Sequence, residues 1–188
     1  MRILGINYLS ESSVCLIENG KIKFAISEER LNRKKNWYGN PFKSIEHCLK
    51  ENKINISDID HLSTHGTSSF SIKSSIQKQE YKNAIDEVEK SKLNKNDKKY
   101  LINQIKFRQK KEIKAYSRNK KLILQIKKKY KKNLEIFDHH LCHAASAAYF
   151  SGWKNCVVLT IDGYGDSSSS KLFEFKNNKF NELRSTSI

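Results

Sequence analysis

The chain has 188 residues and a formal net charge of +16, long enough to bury a core as one domain or two small ones. No stretch approaches the roughly 18 apolar residues that a membrane span needs, and the N-terminus lacks the layout of a signal peptide. The charge resembles a nucleic-acid signal until it is located: residues 73–133 carry 21 Lys/Arg against 6 Asp/Glu, a difference of +15. Of the 36 basic residues in the chain only 6 are arginine, whereas base and phosphate recognition draws on arginine's planar fork. We therefore read the segment first as a solvated helical face, with a partner-binding face as the second reading. The four cysteines, Cys15, Cys48, Cys142 and Cys156, have no CxxC spacing, which suits reduced thiols in the cytoplasm.

In chain order, residues 2–7, 14–18 and 21–27 read as strands, the last two joined by Asn19-Gly20, a strong hairpin signal. The loop 8–13 between the first two is rich in hydroxyls, and Ser12 and Ser13 suit either a phosphate contact or a solvated turn. In Glu28-Glu29-Arg30-Leu31-Asn32-Arg33-Lys34-Lys35 interior ion pairing and a phosphate clamp both fit. Pro41 opens a helix over 41–52, and a strand over 60–64 leads to His65-Gly66. His65 reads as structural, with a cleft-lining role as the second reading. Polar helices are predicted over 76–90 and 97–130, their apolar positions recurring at helix-like intervals with lysines outward.

Residues 134–137 form a short strand that delivers Asp138-His139-His140-Leu141-Cys142-His143-Ala144-Ala145. The alanine-rich run predicts a helix to about residue 150. His139 and His143 stand four apart and share one helical face, the spacing of other two-histidine metal sites. Asp162, at the end of an apolar strand over 156–162, is the natural third ligand. A helix-terminal histidine pair without a ligand remains the alternative. Cys142 is turned off the shared face and reads as a buried thiol. The chain then enters Gly163-Tyr164-Gly165-Asp166, a serine loop over 167–170, and strands over 171–176 and 179–184 with a turn at Asn177-Asn178.

The two ends repeat one plan. Ile3-Leu4-Gly5-Ile6-Asn7 is similar to Val158-Leu159-Thr160-Ile161-Asp162, and each is followed by a polar loop, a strand, an Asn-containing turn and a strand. This is the plan of the actin-like fold, in which the first loop of each lobe grips phosphate. Glycines in Asp162-Gly163-Tyr164-Gly165-Asp166 let backbone approach phosphate, and the carboxylates can hold a cation.

These stretches, with Ser12–Ile22 and Ala25–Lys34, resemble the carbamoyltransferases of nodulation and antibiotic tailoring. The resemblance implies an α/β, actin-like (ribonuclease H-like) lobe with a helical insertion and the opening strands of a second lobe: 1–66 the first part of the lobe, 67–133 the basic helical insertion, 134–188 the metal-binding helix and start of the second lobe. It implies a divalent metal, iron in the family, held by His139, His143 and Asp162. The phosphates of a carbamoyl-adenylate made from ATP and carbamoyl phosphate would meet Ser12, Ser13, His140, Gly163, Tyr164, Gly165 and Asp166. The carbamoyl group passes to a hydroxylated small-molecule acceptor. Family members carry a histidine where Ser10 stands here, so the catalytic base is left unassigned. They also run for several hundred residues, so a truncated or split enzyme is expected, with dimerisation or association with a C-terminal part. Two other readings stay open: an actin-like ATP-binding or kinase-like fragment without carbamoyl chemistry, and a basic helical nucleic-acid module.

Overall fold

A computed structural model of the chain describes residues 1–66, 74–166 and 168–187. It divides into two compact units, Met1–Thr67 with Leu122–Ile188, and Ser68–Lys121.

The first unit begins with strands β1 (Arg2–Asn7), β2 (Ser13–Glu18) and β3 (Lys21–Ser27), paired antiparallel in sequence order. Asn19 and Gly20 both take positive φ, the geometry that a two-residue hairpin turn demands. Helices α1 (Glu28–Asn32) and α2 (Phe42–Glu51) follow, then a single 3₁₀ turn, Ile56–Asp58, and strand β4 (His61–His65). The sequence reading had not assigned α1. Strand β5 (Leu134–Phe137) completes a five-stranded sheet of order β3-β2-β1-β4-β5, in which β4 runs parallel to both β1 and β5. This mixed α/β arrangement, an antiparallel hairpin beside parallel strands, is that of an actin-like, ribonuclease H-like lobe. Register builds the core: Leu16 pairs with Leu4, Leu4 with Leu62, and Leu62 with Leu134, and all four are buried. Ile45 and Cys48 of α2 add to the same interior.

Helix α5 (His139–Ser151) and strands β6 (Asn155–Gly165), β7 (Ser168–Lys176) and β8 (Lys179–Ser187) follow. The strands form an antiparallel sheet in sequence order, repeating the β1-β2-β3 meander as the sequence comparison of the two ends predicts. Asn177 and Asn178 both take positive φ at the second hairpin. One expectation is corrected: residues 168–170 are strand, because Gly165 already pairs with Ser168. Ser167, the first residue of the expected loop, lies outside the described residues. Ala144 and Ala148 of α5 pack on Val158, Phe173 and Phe175. Their small side chains let the helix lie close to the sheet.

The second unit holds α3 (Ser74–Lys90) and α4 (Lys95–Tyr130) as far as Lys121. The turn between them is capped by Asn94, whose Oδ1 accepts hydrogen bonds from the Asn96 and Asp97 amides at 3.0 and 2.9 Å. Tyr100, Phe107 and Ile113 are exposed, against the expectation of an apolar face with lysines outward. Tyr100 and Phe107, seven residues apart, lie on nearly the same side of the helix, whereas Ile113 falls roughly on the opposite one at about 100° per residue, so the exposed apolar positions are not gathered on one face. Residues 67–73, read as a serine-rich linker, lie outside the described residues.

From Leu122 onward α4 belongs to the first unit. Ile123 and Ile126 are fully buried there, and the Asn40 side-chain amide donates to Leu122 O and Gln125 Oε1 at 3.1 and 2.9 Å. Trimming one methyl by Ile126→Val should cost about 1 kcal/mol, read as a lower urea midpoint at unchanged slope.

Candidate metal centre

Helix α5 starts where its sequence says it should. Asp138 is the N-cap, extended at φ −60° and ψ 140°, and its side chain accepts the Leu141 amide at 2.9 Å. A second carboxylate joins it: Asp166 Oδ2 accepts the His139 amide at 2.7 Å. Two carboxylates at the positive end of a helix satisfy orphan amides and oppose its dipole. Lys171 Nζ stands 3.1 Å from Asp138 and 2.9 Å from Glu182. Burial disfavours the Lys171 charge, yet the two carboxylates hold its pKa above the usual lysine value.

On this helix, i, i+4 spacing puts His139 and His143 on one side, and His140, Ala144 and Ala148 on the side that is buried. In β6 the alternation of a strand faces Val158 and Thr160 inward, and Asp162 follows on the same face. A break in the β6–β7 register between Ile161 and Gly165 falls at Asp162, the kind of bulge that re-aims side chains beside sites.

The result is a convergence. His139 Nε2 lies 2.6 Å from Asp162 Oδ2 and 3.1 Å from His143 Nε2, and His143 Nε2 lies 3.6 Å from the same carboxylate oxygen. One ligand atom from each residue falls within 4.8 Å of the others. The His139 hydrogen bond above all holds the Asp162 carboxyl below its ordinary pKa, with the Gly163 amide, 2.5 Å from Oδ1, helping. Two imidazoles and one carboxylate, half-exposed at the end of a strand, are the donor set of two-histidine, one-carboxylate centres, which suit iron(II) and similar divalent ions. The residues present therefore fit the metal that the family resemblance implies.

The other predicted residues are placed as follows. His140 is fully buried; its Nε2–H donates to Ser168 O at 3.1 Å and Nδ1 meets the Thr160 hydroxyl at 2.9 Å, so neither nitrogen is left for a ligand. Its ring pins α5 to the second sheet. Gly165 is buried directly beneath His139, and a Cβ there would run into the imidazole ring. Gly163 faces open space. Asp166 is engaged at the helix terminus, and the Tyr164 side chain lies outside the described residues. Ser12 is fully buried, its amide donating to Trp37 O at 3.2 Å. Ser13 lines a cleft of about 810 Å³ together with Asn7, Ser27, Arg30, Cys142 and Ser146. Ser10 offers its carbonyl to the Asn7 amide at 3.0 Å. Cys142 is a mostly buried thiol with its pKa raised to about 11, chiefly by burial.

The neighbour that sequence reasoning left aside is His65. Its ring stacks on Tyr8, with centroids 5.5 Å apart, and its Nδ1 approaches His139 Nδ1 at 3.4 Å. Burial first, and the His139 charge second, push its pKa down to about 4. The available signal was its place at the carboxyl end of a strand, where ligand-binding groups of α/β sheets gather.

Known proteins resemble the chain along nearly its whole length. A family model described as carbamoyltransferase N-terminus matches residues 2–187. The nodulation protein NolNO of Sinorhizobium fredii is 28% identical over 172 residues, covering 88% of this chain and 21% of its own length. The protein MJ1051 of Methanocaldococcus jannaschii is 33% identical over 167 residues, 89% of this chain and 23% of its own. Among solved structures, YeaZ from Pseudomonas aeruginosa superposes over 100% of this chain and 67% of that one, at a TM-score of 0.46 and 11% identity. The chain thus spans roughly a fifth to a quarter of the length of these two curated relatives. With a family model matched from residue 2 to residue 187, the chain belongs to the carbamoyltransferase N-terminus family.

Proposed function

We propose that this chain is the metal- and phosphate-binding N-terminal portion of an O-carbamoyltransferase, which passes a carbamoyl group from carbamoyl-adenylate, formed from ATP and carbamoyl phosphate, to a hydroxyl of a small sugar- or antibiotic-like acceptor. The observation that supports it most is the convergence of His139, His143 and Asp162 in a chain that the family model covers almost end to end. In the transfer, the acceptor oxygen bonds to the carbamoyl carbon, the bond from that carbon to phosphate oxygen breaks, and the hydroxyl proton leaves to a base. Ser10 is a poor base at neutral pH, and no other group of this chain is assigned that step.

His139 and His143 would present Nε2 lone pairs, and Asp162 a carboxylate oxygen, to one divalent ion. When bound, such an ion screens phosphate charge and orients the mixed anhydride. The cleft beside Ser13 and Ser27 offers hydroxyls, and Arg30 at its edge a guanidinium suited to an anionic group. Among the described residues no helix is long and apolar enough to cross a membrane.

The purified chain should hold about one divalent ion per molecule, and His139→Ala/His143→Ala should hold almost none; equal metal content in both would remove the centre. A chain extended to the full length of its relatives should consume ATP only when carbamoyl phosphate is supplied. ATP turnover indifferent to carbamoyl phosphate would favour a kinase-like role.

A further inference from the structure

The two sheets share one plan but are covered on opposite sides. In β1, Leu4 and Ile6 are 0% and 3% exposed. Leu4 stands in the row Leu16–Leu4–Leu62–Leu134 across four strands, within the interior to which Ile45 and Cys48 of α2 belong. The repeat aligns Leu4 and Ile6 with Leu159 and Ile161 of β6, yet these two are 59% and 77% exposed. Val157, on the same side of the strand, is exposed as well. Helix α5 lies on the other side, against Val158. The face that makes the core of the first sheet is thus the open face of the second.

The open edge matches the open face. Strand β1 pairs with β2 on one side and, in parallel, with β4 on the other. Among the described residues β6 pairs with β7 alone, and an edge strand with apolar side chains is a ready template for another strand. Leu159 pairs with Leu172 as Leu4 pairs with Leu16. The position beside Leu159 that corresponds to Leu62 beside Leu4 therefore lies on the open edge of β6.

We propose that β6 docks one helix–strand unit: a strand that runs parallel to it with an apolar residue beside Leu159, and an amphipathic helix whose apolar side covers Val157, Leu159 and Ile161. In the first sheet α2 and β4 fill these two places. The source is the remaining length of a larger protein, since this chain spans about a fifth to a quarter of two curated relatives. A second copy fits less well. A two-fold axis perpendicular to the sheet would pair β6 with another β6 antiparallel, whereas β1 takes a parallel strand at the matching edge. The inference rests on the internal repeat and on the exposure of β6, not on the carbamoyl-transfer reading.

Hydrogen–deuterium exchange of the β6 amides, measured on the 188-residue chain and on a chain extended to the full length of its relatives, tests this. The amides of the open edge should exchange at least about tenfold more slowly in the extended protein. Leu159→Lys should leave the urea midpoint of the 188-residue chain unchanged, because that side chain already meets water. In the extended protein the same substitution should lower the midpoint and return β6 to fast exchange. Equal exchange in the two wild-type forms would overturn the inference, and that comparison needs no variant. A midpoint that falls already in the 188-residue chain would overturn it too, by showing that the face is covered within this chain. Protection that disappears when the extended protein is diluted to a monomer would assign the face to a second copy, against the proposal.

Discussion

Gly165→Ala should abolish metal binding without removing a single ligand. The added Cβ would occupy space filled by the His139 ring, its Cδ2 and Cγ above all. His139 cannot easily retreat, because His65 lies behind it and its own amide is tied to Asp166 at 2.7 Å. The backbone of β6 cannot easily give either, being held to β7 through the Gly165–Ser168 pair. Misplacing a ligand by about an ångström is the usual way in which a site that is present fails to work. Calorimetric titration with zinc should therefore show no measurable heat of binding in Gly165→Ala. The rise in Tm that a bound ion gives the folded state should vanish as well. Gly163→Ala is the matching control: nothing lies within 4 Å of its added carbon, and it should bind zinc like the wild type. If Gly163→Ala loses the ion and Gly165→Ala keeps it, the roles assigned to the two glycines are wrong.

That contrast bears on what the sequence could reveal. The spacing of His139 and His143 and the position of Asp162 after an apolar strand were enough to bring these three together, since both rest on local periodicity. The strands, the two Asn-containing hairpins and the long helices were legible for the same reason. The glycines of the same motif were legible only as glycines: that one faces a ring and the other open space depends on how α5 lies over β6, which is a tertiary fact. His140 illustrates the same limit. Adjacent to a metal-type motif it reads as a ligand-contacting residue, yet a one-residue step on a helix turns it by about 100°, into the interface with Thr160 and Ser168. His65 was hidden because 74 residues separate it from His139, and only the parallel pairing of β4 with β5 closes that gap. Glu28 was hidden too, inside a run that suited an ion pair or a phosphate clamp equally well.

Glu28 carries the second large effect, and this one falls on stability. Its side chain is buried and turns inward, away from the basic residues that follow it. Oε2 accepts both the amide and the hydroxyl of Ser44 at 2.7 Å, and Oε1 faces the Lys43 amide at 3.3 Å. Lys43 and Ser44 are the second and third residues of α2, and Pro41 at its N-cap position provides no side-chain cap. Glu28 thus caps a helix that is not its own, with both side-chain oxygens at the positive end of the dipole. Its own amide meanwhile donates to Ser12 O at 2.8 Å, tying the β1–β2 loop to the same junction. Glu28→Ala would remove the acceptor from the Ser44 amide and hydroxyl and the Lys43 amide, at a cost of about 3 kcal/mol. Glu28→Gln, which keeps one carbonyl oxygen for Ser44, should cost about half as much. Urea denaturation monitored by circular dichroism separates the three proteins. Because Glu28 makes no hydrogen bond with His139, His143 or Asp162, the folded fraction of Glu28→Ala should bind zinc with wild-type affinity. A stability loss below that of Glu28→Gln would refute the capping role. Normal stability with lost zinc binding would instead place Glu28 at the metal centre.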